Sequence, residues 1–202
     1  MKNRILFFLT FLLLASSSYS QTEFGTIFGL NTSRFTDEFR PVNGSYINSS
    51  SIGFSFGAFA EFNINEKINF YPKIIYNQIG DREKDFGNVE RRGLDISTID
   101  YKLDYISIPL NFKFFSKPYL TIGPQFGILI SQNNESLDLG DLKSSFDIGG
   151  NLGIGYPIKD FRIEITFYQG FSTLLEVEKE FSDDIIDVRN TYLNLSIGYN
   201  LK

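Results

Sequence analysis

The sequence predicts an all-β chain: a transmembrane, antiparallel, up-and-down β-barrel of about eight strands that follows a cleaved signal peptide. Three observations predict it. The first residues have the layout of an export signal. The remainder repeats a two-faced strand of period two. The connections between those strands alternate between short and long.

Residues 1–20 carry the export signal. Lys2 and Arg4 form a positive n-region, and Ile5 to Ala15 forms an apolar h-region. Ser18 and Ser20 place small residues where a signal peptidase reads, which makes Gln21 the expected mature start. The apolar run is shorter than the about 20 residues that a helix needs to span a bilayer. Residues 21–202 are then expected to form one outer-membrane β-barrel domain. No later apolar run approaches the length of a membrane helix, so a membrane-embedded mature chain has to close into a barrel.

Side chains alternate across a strand, so a run whose odd and even positions differ in polarity reads as a strand with two unlike faces. The clearest case is Ile52 to Ile64. Ile52, Phe54, Phe56, Ala58, Ala60, Phe62 and Ile64 share one face; Gly53, Ser55, Gly57, Phe59, Glu61 and Asn63 share the other. Before it, Phe24, Thr26, Phe28 and Leu30 oppose Gly25, Ile27, Gly29 and Asn31. After it, Ile68 to Asn77, Tyr105 to Phe114, Leu120 to Ile128, Phe146 to Gly155, Phe161 to Tyr168 and Tyr192 to Leu201 repeat the separation. Eight such strands make the smallest bacterial outer-membrane barrel. Pro72, Pro109 and Pro124 fall inside these runs. Proline removes a ladder donor, so each is expected at a bulge, a strand end or a break in pairing.

Short connections are expected at Asn65-Glu66-Lys67, at Phe115 to Pro118 and at Pro157 to Asp160. Long ones are expected at Arg34 to Ser51, Gly80 to Lys102, Gln132 to Ser144 and Thr173 to Arg189. Tight periplasmic turns and longer extracellular loops give this asymmetry, which puts both mature ends in the periplasm.

Alternation also fits a soluble lipocalin-like barrel with its apolar face turned inward around a ligand. The opposite face would then be the solvent surface. It is rich in Gly, Ser and Asn and poor in Lys and Glu, which is unusual for a soluble exterior. Turned the other way, Phe, Ile and Leu meet lipid and the small polar row lines the lumen. On that reading the lumen holds Glu61, Lys73, Lys113, Asp147, Arg162 and Glu164. Buried charges need partners, so the six are expected to form an internal salt-bridge network with a structural, plugging role. An eight-stranded interior is just wide enough for side chains to fill.

The 202-residue chain has 22 Phe and 11 Tyr and neither Cys nor His. Aromatics suit strands and membrane interfaces. Without Cys or His there is no Ser-His-Asp or Cys-His catalysis and no zinc or copper site of nitrogen and sulfur ligands. A formal net charge of −5 argues against nucleic acid as a partner. Asp183, Asp184 and Asp187 could offer oxygen ligands to Ca²⁺, but they lack EF-hand spacing and read as solvated loop charge. The glycines at 149, 150, 153 and 155 lie in a strand with no helix after it, so they do not make a phosphate loop. No catalytic residue, cofactor or metal site is expected.

Several local patterns resemble one family. Phe24-Gly25-Thr26-Ile27-Phe28-Gly29-Leu30-Asn31-Thr32-Ser33 resembles the first strand of the PorT-like outer-membrane β-barrel proteins of Bacteroidetes. Tyr105-Ile106-Ser107-Ile108-Pro109-Leu110 is similar to that family's Tyr-Leu-x-Ile-Pro strand, and Gly123-Pro124 before Gly127-Ile128-Leu129 to its Gly-Pro strand. Phe146-Asp147-Ile148-Gly149, Tyr168-Gln169-Gly170-Phe171 and Leu195-Ser196-Ile197-Gly198-Tyr199 look like later strands. The resemblance implies the barrel fold and the outer membrane, and little about activity.

The expected function is that of a non-enzymatic outer-membrane protein, in contact with lipid, whose loops or periplasmic turns bind a protein partner. The alternatives are a small channel, a lipid-acting membrane enzyme and the soluble ligand-binding barrel.

Overall fold

The computed structural model describes residues 22–36, 51–82, 100–134, 144–178 and 185–201. The export signal of residues 1–20 lies outside the described residues, as do Asp183, Asp184 and most of the long connections. The strands are β1 (Thr22–Thr36), β2 (Ser51–Asn65), β3 (Ile68–Arg82), β4 (Asp100–Phe114), β5 (Tyr119–Asn134), β6 (Phe146–Ile158), β7 (Phe161–Gly170), β8 (Leu175–Glu178) and β9 (Ile185–Leu201). Each of β1 to β6 pairs with the next in sequence, β7 pairs with β9, and β9 pairs back onto β1. Eight strands therefore close an antiparallel barrel. Closure matters because an open edge in lipid would leave a row of backbone groups without partners.

The short β8 stands outside this ring. Among the described residues it pairs with the first residues of β9, from Leu175↔Val188 to Glu178↔Ile185. Sequence periodicity treats that stretch as part of a long connection. A four-residue strand shows too few alternations to be recognised by period.

The turns between β2 and β3, β4 and β5, and β6 and β7 are short, and they share one end of the barrel with the start of β1 and the finish of β9. Asn65 caps the first of them: its Oδ1 accepts from the backbone N–H of Lys67 and of Ile68, both at 2.9 Å. In the last turn only Lys159 and Asp160 lie between the strands, and Lys159 has φ 56°. Pro157, expected in that turn, is instead paired with Arg162 inside the β6–β7 ladder.

The three suspect prolines sit at breaks in pairing. The β2–β3 ladder steps from Phe59↔Lys73 to Phe62↔Phe70, passing Pro72. The β3–β4 ladder steps from Pro72↔Leu110 to Ile75↔Ser107, passing Pro109. The β4–β5 ladder steps from Pro109↔Gln125 to Phe112↔Ile122, passing Pro124. Each missing donor falls where the ladder already opens, so no central hydrogen bond is lost to the ring.

Burial settles which face looks outward. On β7, Phe161, Ile163, Ile165 and Phe167 are exposed while Arg162, Glu164, Thr166 and Tyr168 are buried. The same inversion holds on β6, where Asp147, Asn151 and Gly153 are buried between exposed Phe146, Ile148, Leu152 and Ile154. A soluble barrel would bury Phe28 and Ile197, yet they are 58% and 55% exposed. The apolar wall is the outside, which removes the lipocalin-like alternative.

Two glycines show how the inside is fitted. A Cβ on Gly25 would lie 2.1 Å from the Phe59 ring, and one on Gly155 would lie 2.1 Å from the Tyr119 ring. Each glycine is the register partner of the aromatic that covers it. The large ring inside the barrel needs a neighbour with no side chain.

Two outcomes test this fold. Ile165→Arg places a charge on the lipid face near the middle of β7, and it is expected to cost about 2–4 kcal/mol in urea titrations of folding into vesicles. Gly155→Ala is expected to lower the urea midpoint in the wild-type background and to lower it much less in a Tyr119→Leu background, because the clash is with that ring.

Candidate functional site

The candidate site is the lumen, and it is layered along the barrel axis. At the turn end, charged side chains from five strands form an ionic cluster. Glu61 of β2 receives Lys113 of β4 on Oε1 at 2.6 Å and Arg162 of β7 on Oε2 at 2.8 Å. Arg162 also reaches Glu23 of β1 at 3.2 Å and donates to the Asn200 amide oxygen of β9. Lys73 of β3 pairs with Glu164 of β7, which further accepts from the Tyr119 hydroxyl at 3.2 Å and the Thr166 hydroxyl at 3.0 Å. Aromatic faces fill the space between these groups. The Arg162 guanidinium lies 4.2 Å from the Phe59 ring centre, the Lys73 ammonium 4.6 Å from Tyr71, and the Lys113 ammonium 4.5 Å from Tyr119.

Beyond the ionic cluster, the middle of the lumen is lined mainly by uncharged polar side chains, with Ile27 and Ile75 among them. Asn194 donates to Asn31 at 2.6 Å and to Ser55 at 2.8 Å, joining β9, β1 and β2 across the closing seam. Gln125 and the Tyr192 hydroxyl hydrogen bond to each other, with separations of 2.8 and 3.1 Å.

The loop end is closed by apolar and aromatic side chains. Ile79, Leu103, Tyr105, Tyr168, Leu174 and Tyr192 form one buried cluster, in which Tyr168 and Tyr192 stack at 4.8 Å. Ser33 ties the rim to β3, with its hydroxyl 2.8 Å from both the backbone N–H and the carbonyl of Gly80.

All six charges expected in the lumen are buried there. Five of them, Glu61, Lys73, Lys113, Arg162 and Glu164, come together at the turn end. Asp147 stands apart at the loop end, where it accepts from Asn190 at 2.9 Å and makes no ion pair with the other five. Its place in the charge balance is taken by Glu23, at the start of β1. Sequence reasoning left Glu23 out because it precedes the first recognisable alternation. Phe59, Tyr71, Tyr105, Tyr168 and Tyr192 were on the inward rows but their weight was missed, and Tyr119 fell just before the expected strand; all six are buried in the lumen beside the charges. Their signal was available, since each falls on the small-residue parity of its strand.

Within the ionic cluster each cation has a carboxylate, and Glu61 and Glu164 each accept from at least two donors. Among the described residues no group of three or more His, Cys, Asp or Glu could hold a metal ion. Asp187 lies in β9, and its side chain is not among those described.

The family described as outer membrane protein β-barrel domain matches residues 15–176. The chain belongs to that family. With the outward apolar wall, this places the protein in the outer membrane. Among solved structures the chain is similar to Neisserial surface protein A, with 12% identity, a TM-score of 0.51, and coverage of 90% of this chain and 100% of that one. It is also similar to Ail, the attachment invasion locus protein of Yersinia pestis, with 16% identity, a TM-score of 0.45, and coverage of 90% and 99%. At these identities the first likeness shows the fold alone. No curated protein matches the chain in sequence.

Removing one partner of a buried ion pair leaves the other charge stranded, whereas removing both can be nearly neutral. Glu164→Gln is therefore expected to destabilise the barrel by about 3–5 kcal/mol. The double variant Lys73→Met with Glu164→Leu is expected to recover most of that loss, as read from urea midpoints in detergent micelles.

Proposed function

We propose that this protein is a non-enzymatic, non-conducting outer-membrane scaffold that presents a binding surface for a protein partner at its loop end. The observation that carries the reading is the double closure of the lumen. The turn end is stopped by the Glu61–Arg162–Lys113 and Lys73–Glu164 pairs with Phe59, Tyr71 and Tyr119, and the loop end by Leu103, Tyr105, Tyr168 and Tyr192. A pore needs a continuous wet path, and these side chains are each less than a tenth exposed.

The outer wall supports the location of the binding surface. A strand needs only about 9–11 residues to cross the bilayer, and β2 to β4 each have 15. At about 3.3 Å per residue and a tilt near 40°, such strands rise roughly 38 Å, against an apolar band of about 25 Å. The extra length lies at the loop end, where the outward residues turn polar. Leu30 on β1 gives way to exposed Thr32 and Arg34. Thr191 donates to Gln169 of β7 at 3.1 Å, and Gln78 of β3 meets Asp104 of β4 at 3.4 Å. The strands thus continue past the lipid as a polar collar that carries the long connections. The lack of His and Cys supports the non-enzymatic reading. The order of strand motifs supports a relationship to the PorT-like branch.

Planar-bilayer recording separates the scaffold from the small channel. The purified barrel is expected to give no unitary steps at any applied voltage, and regular steps would sink the scaffold reading. Crosslinking on intact cells, followed by identification of captured proteins, is expected to capture one recurring partner from wild type, and to lose it when the connection between β3 and β4 is shortened.

A further inference from the structure

Between the two closures lies a cavity of about 20 Å³, lined by Ser55, Lys73, Asn111, Gln125, Asn151 and Asn194 among others. Two of these residues stand out. Asn111 on β4 is fully buried and Asn151 on β6 is 3% exposed, and neither amide has a hydrogen-bond partner on its oxygen or its nitrogen. An orphaned buried amide is costly, so a native interior normally supplies a partner.

The register explains why the two amides face one space. Gly123 on β5 pairs with Asn151, and continuing the β4–β5 register past its break brings Asn111 to the other side of the same glycine. A Cβ on Gly123 would lie 2.8 Å from the Asn111 amide oxygen and 2.2 Å from the Leu110 carbonyl oxygen. The glycine therefore keeps open the space between two asparagines whose backbones are two strand spacings apart, about 9–10 Å.

We propose that this cavity binds a resident water molecule that bridges Asn111 and Asn151 over Gly123. A space of roughly 10–15 Å³ open to the centre of a water molecule holds one water, provided it has two to four polar partners. The cavity meets both conditions. Water also matches the unmet demand, because an amide oxygen asks for a donor and an amide nitrogen for an acceptor, and water supplies both. A metal cation fits poorly: the charged group in the lining is the Lys73 ammonium, and the carboxylate nearest to it, Glu164, is already its partner. An anion would find amide donors but would leave both amide oxygens unmet. The water is held in place toward the loop end by the Tyr192–Gln125 pair and toward the turn end by the Lys73–Glu164 pair, so it exchanges slowly with solvent.

The test is a crystal structure of the refolded wild-type chain together with water-selective ROE spectra of the same protein in micelles. The expected result is a density peak within hydrogen-bond distance of both amides, with ROE cross-peaks from water to the Asn111 and Asn151 side-chain N–H groups. The peak is expected to vanish in Asn151→Leu, and in Asn151→Ala should leucine prevent folding. A dry cavity, amides that pair with each other or with Thr121, or density with the coordination of a bound ion would each overturn the proposal.

Discussion

The structure depends on one constraint, the closure of β9 onto β1. Their ladder runs from Phe24↔Leu201 to Thr36↔Arg189 and turns a curved sheet into a ring. In lipid an unpaired edge has no water to turn to, so a barrel one strand short would leave two rows of backbone groups unsatisfied. Closure also fixes the interior. With eight strands the cross-section is only wide enough for side chains, so each inward residue must fit against residues from the far wall as well as its neighbours. The pairing of Phe59 with Gly25 and of Tyr119 with Gly155 is that requirement in its simplest form: a ring is accommodated by deleting the side chain beside it.

The ionic cluster answers the same constraint with charge. Arg162 on β7 contacts Glu61 on β2, Glu23 on β1 and Asn200 on β9, so a single guanidinium touches both sides of the closing seam. A planar fork with five donors can do this where an ammonium could not. Counting the rim residue Glu23, three cations meet three carboxylates, and the turn end is close to neutral. Neutrality is a condition for burial there, since an unmatched charge beside Phe59 and Tyr71 would be stranded without solvent. Double-mutant behaviour of Lys73 and Glu164 reports on this balance more directly than either single change, because only the pair can be removed without leaving a stranded partner.

The architecture was legible in the sequence because period two is a local property and the barrel uses it everywhere. Ile52 to Ile64 announces a strand without any knowledge of its neighbours, and the parity of Glu61, Lys73, Lys113, Arg162 and Glu164 was enough to put them inside. What parity cannot carry is height. Asp147 has the same inward parity as Glu164, yet it sits near the opposite mouth, and only the register along β5, β6 and β7 separates them. Glu23 went unnoticed for a related reason: at the first turn of a pattern there is nothing before it to alternate with. The asparagines facing the central cavity were visible as polar positions, but their lack of partners is a fact of packing across Gly123 and has no trace in either strand read alone.

The layering also bears on where selection can act. Substituting a buried lumen residue disturbs partners on several strands at once, as the contacts of Arg162 show, so the interior has little freedom to acquire a new role. The lipid face is constrained only to remain apolar, which makes it permissive but uninformative. The collar is different. Its strands are already paired, held to the barrel by contacts such as Ser33 to Gly80 and Gln78 to Asp104, yet exposed side chains such as Thr32 and Arg34 answer to neither lipid nor lumen. Rigid elements that carry variable connections are where binding surfaces usually arise. A filled interior and strands longer than the membrane requires therefore belong to the same solution: the ring is held together from within by contacts between strands, and the strand ends beyond the lipid are left free of that packing.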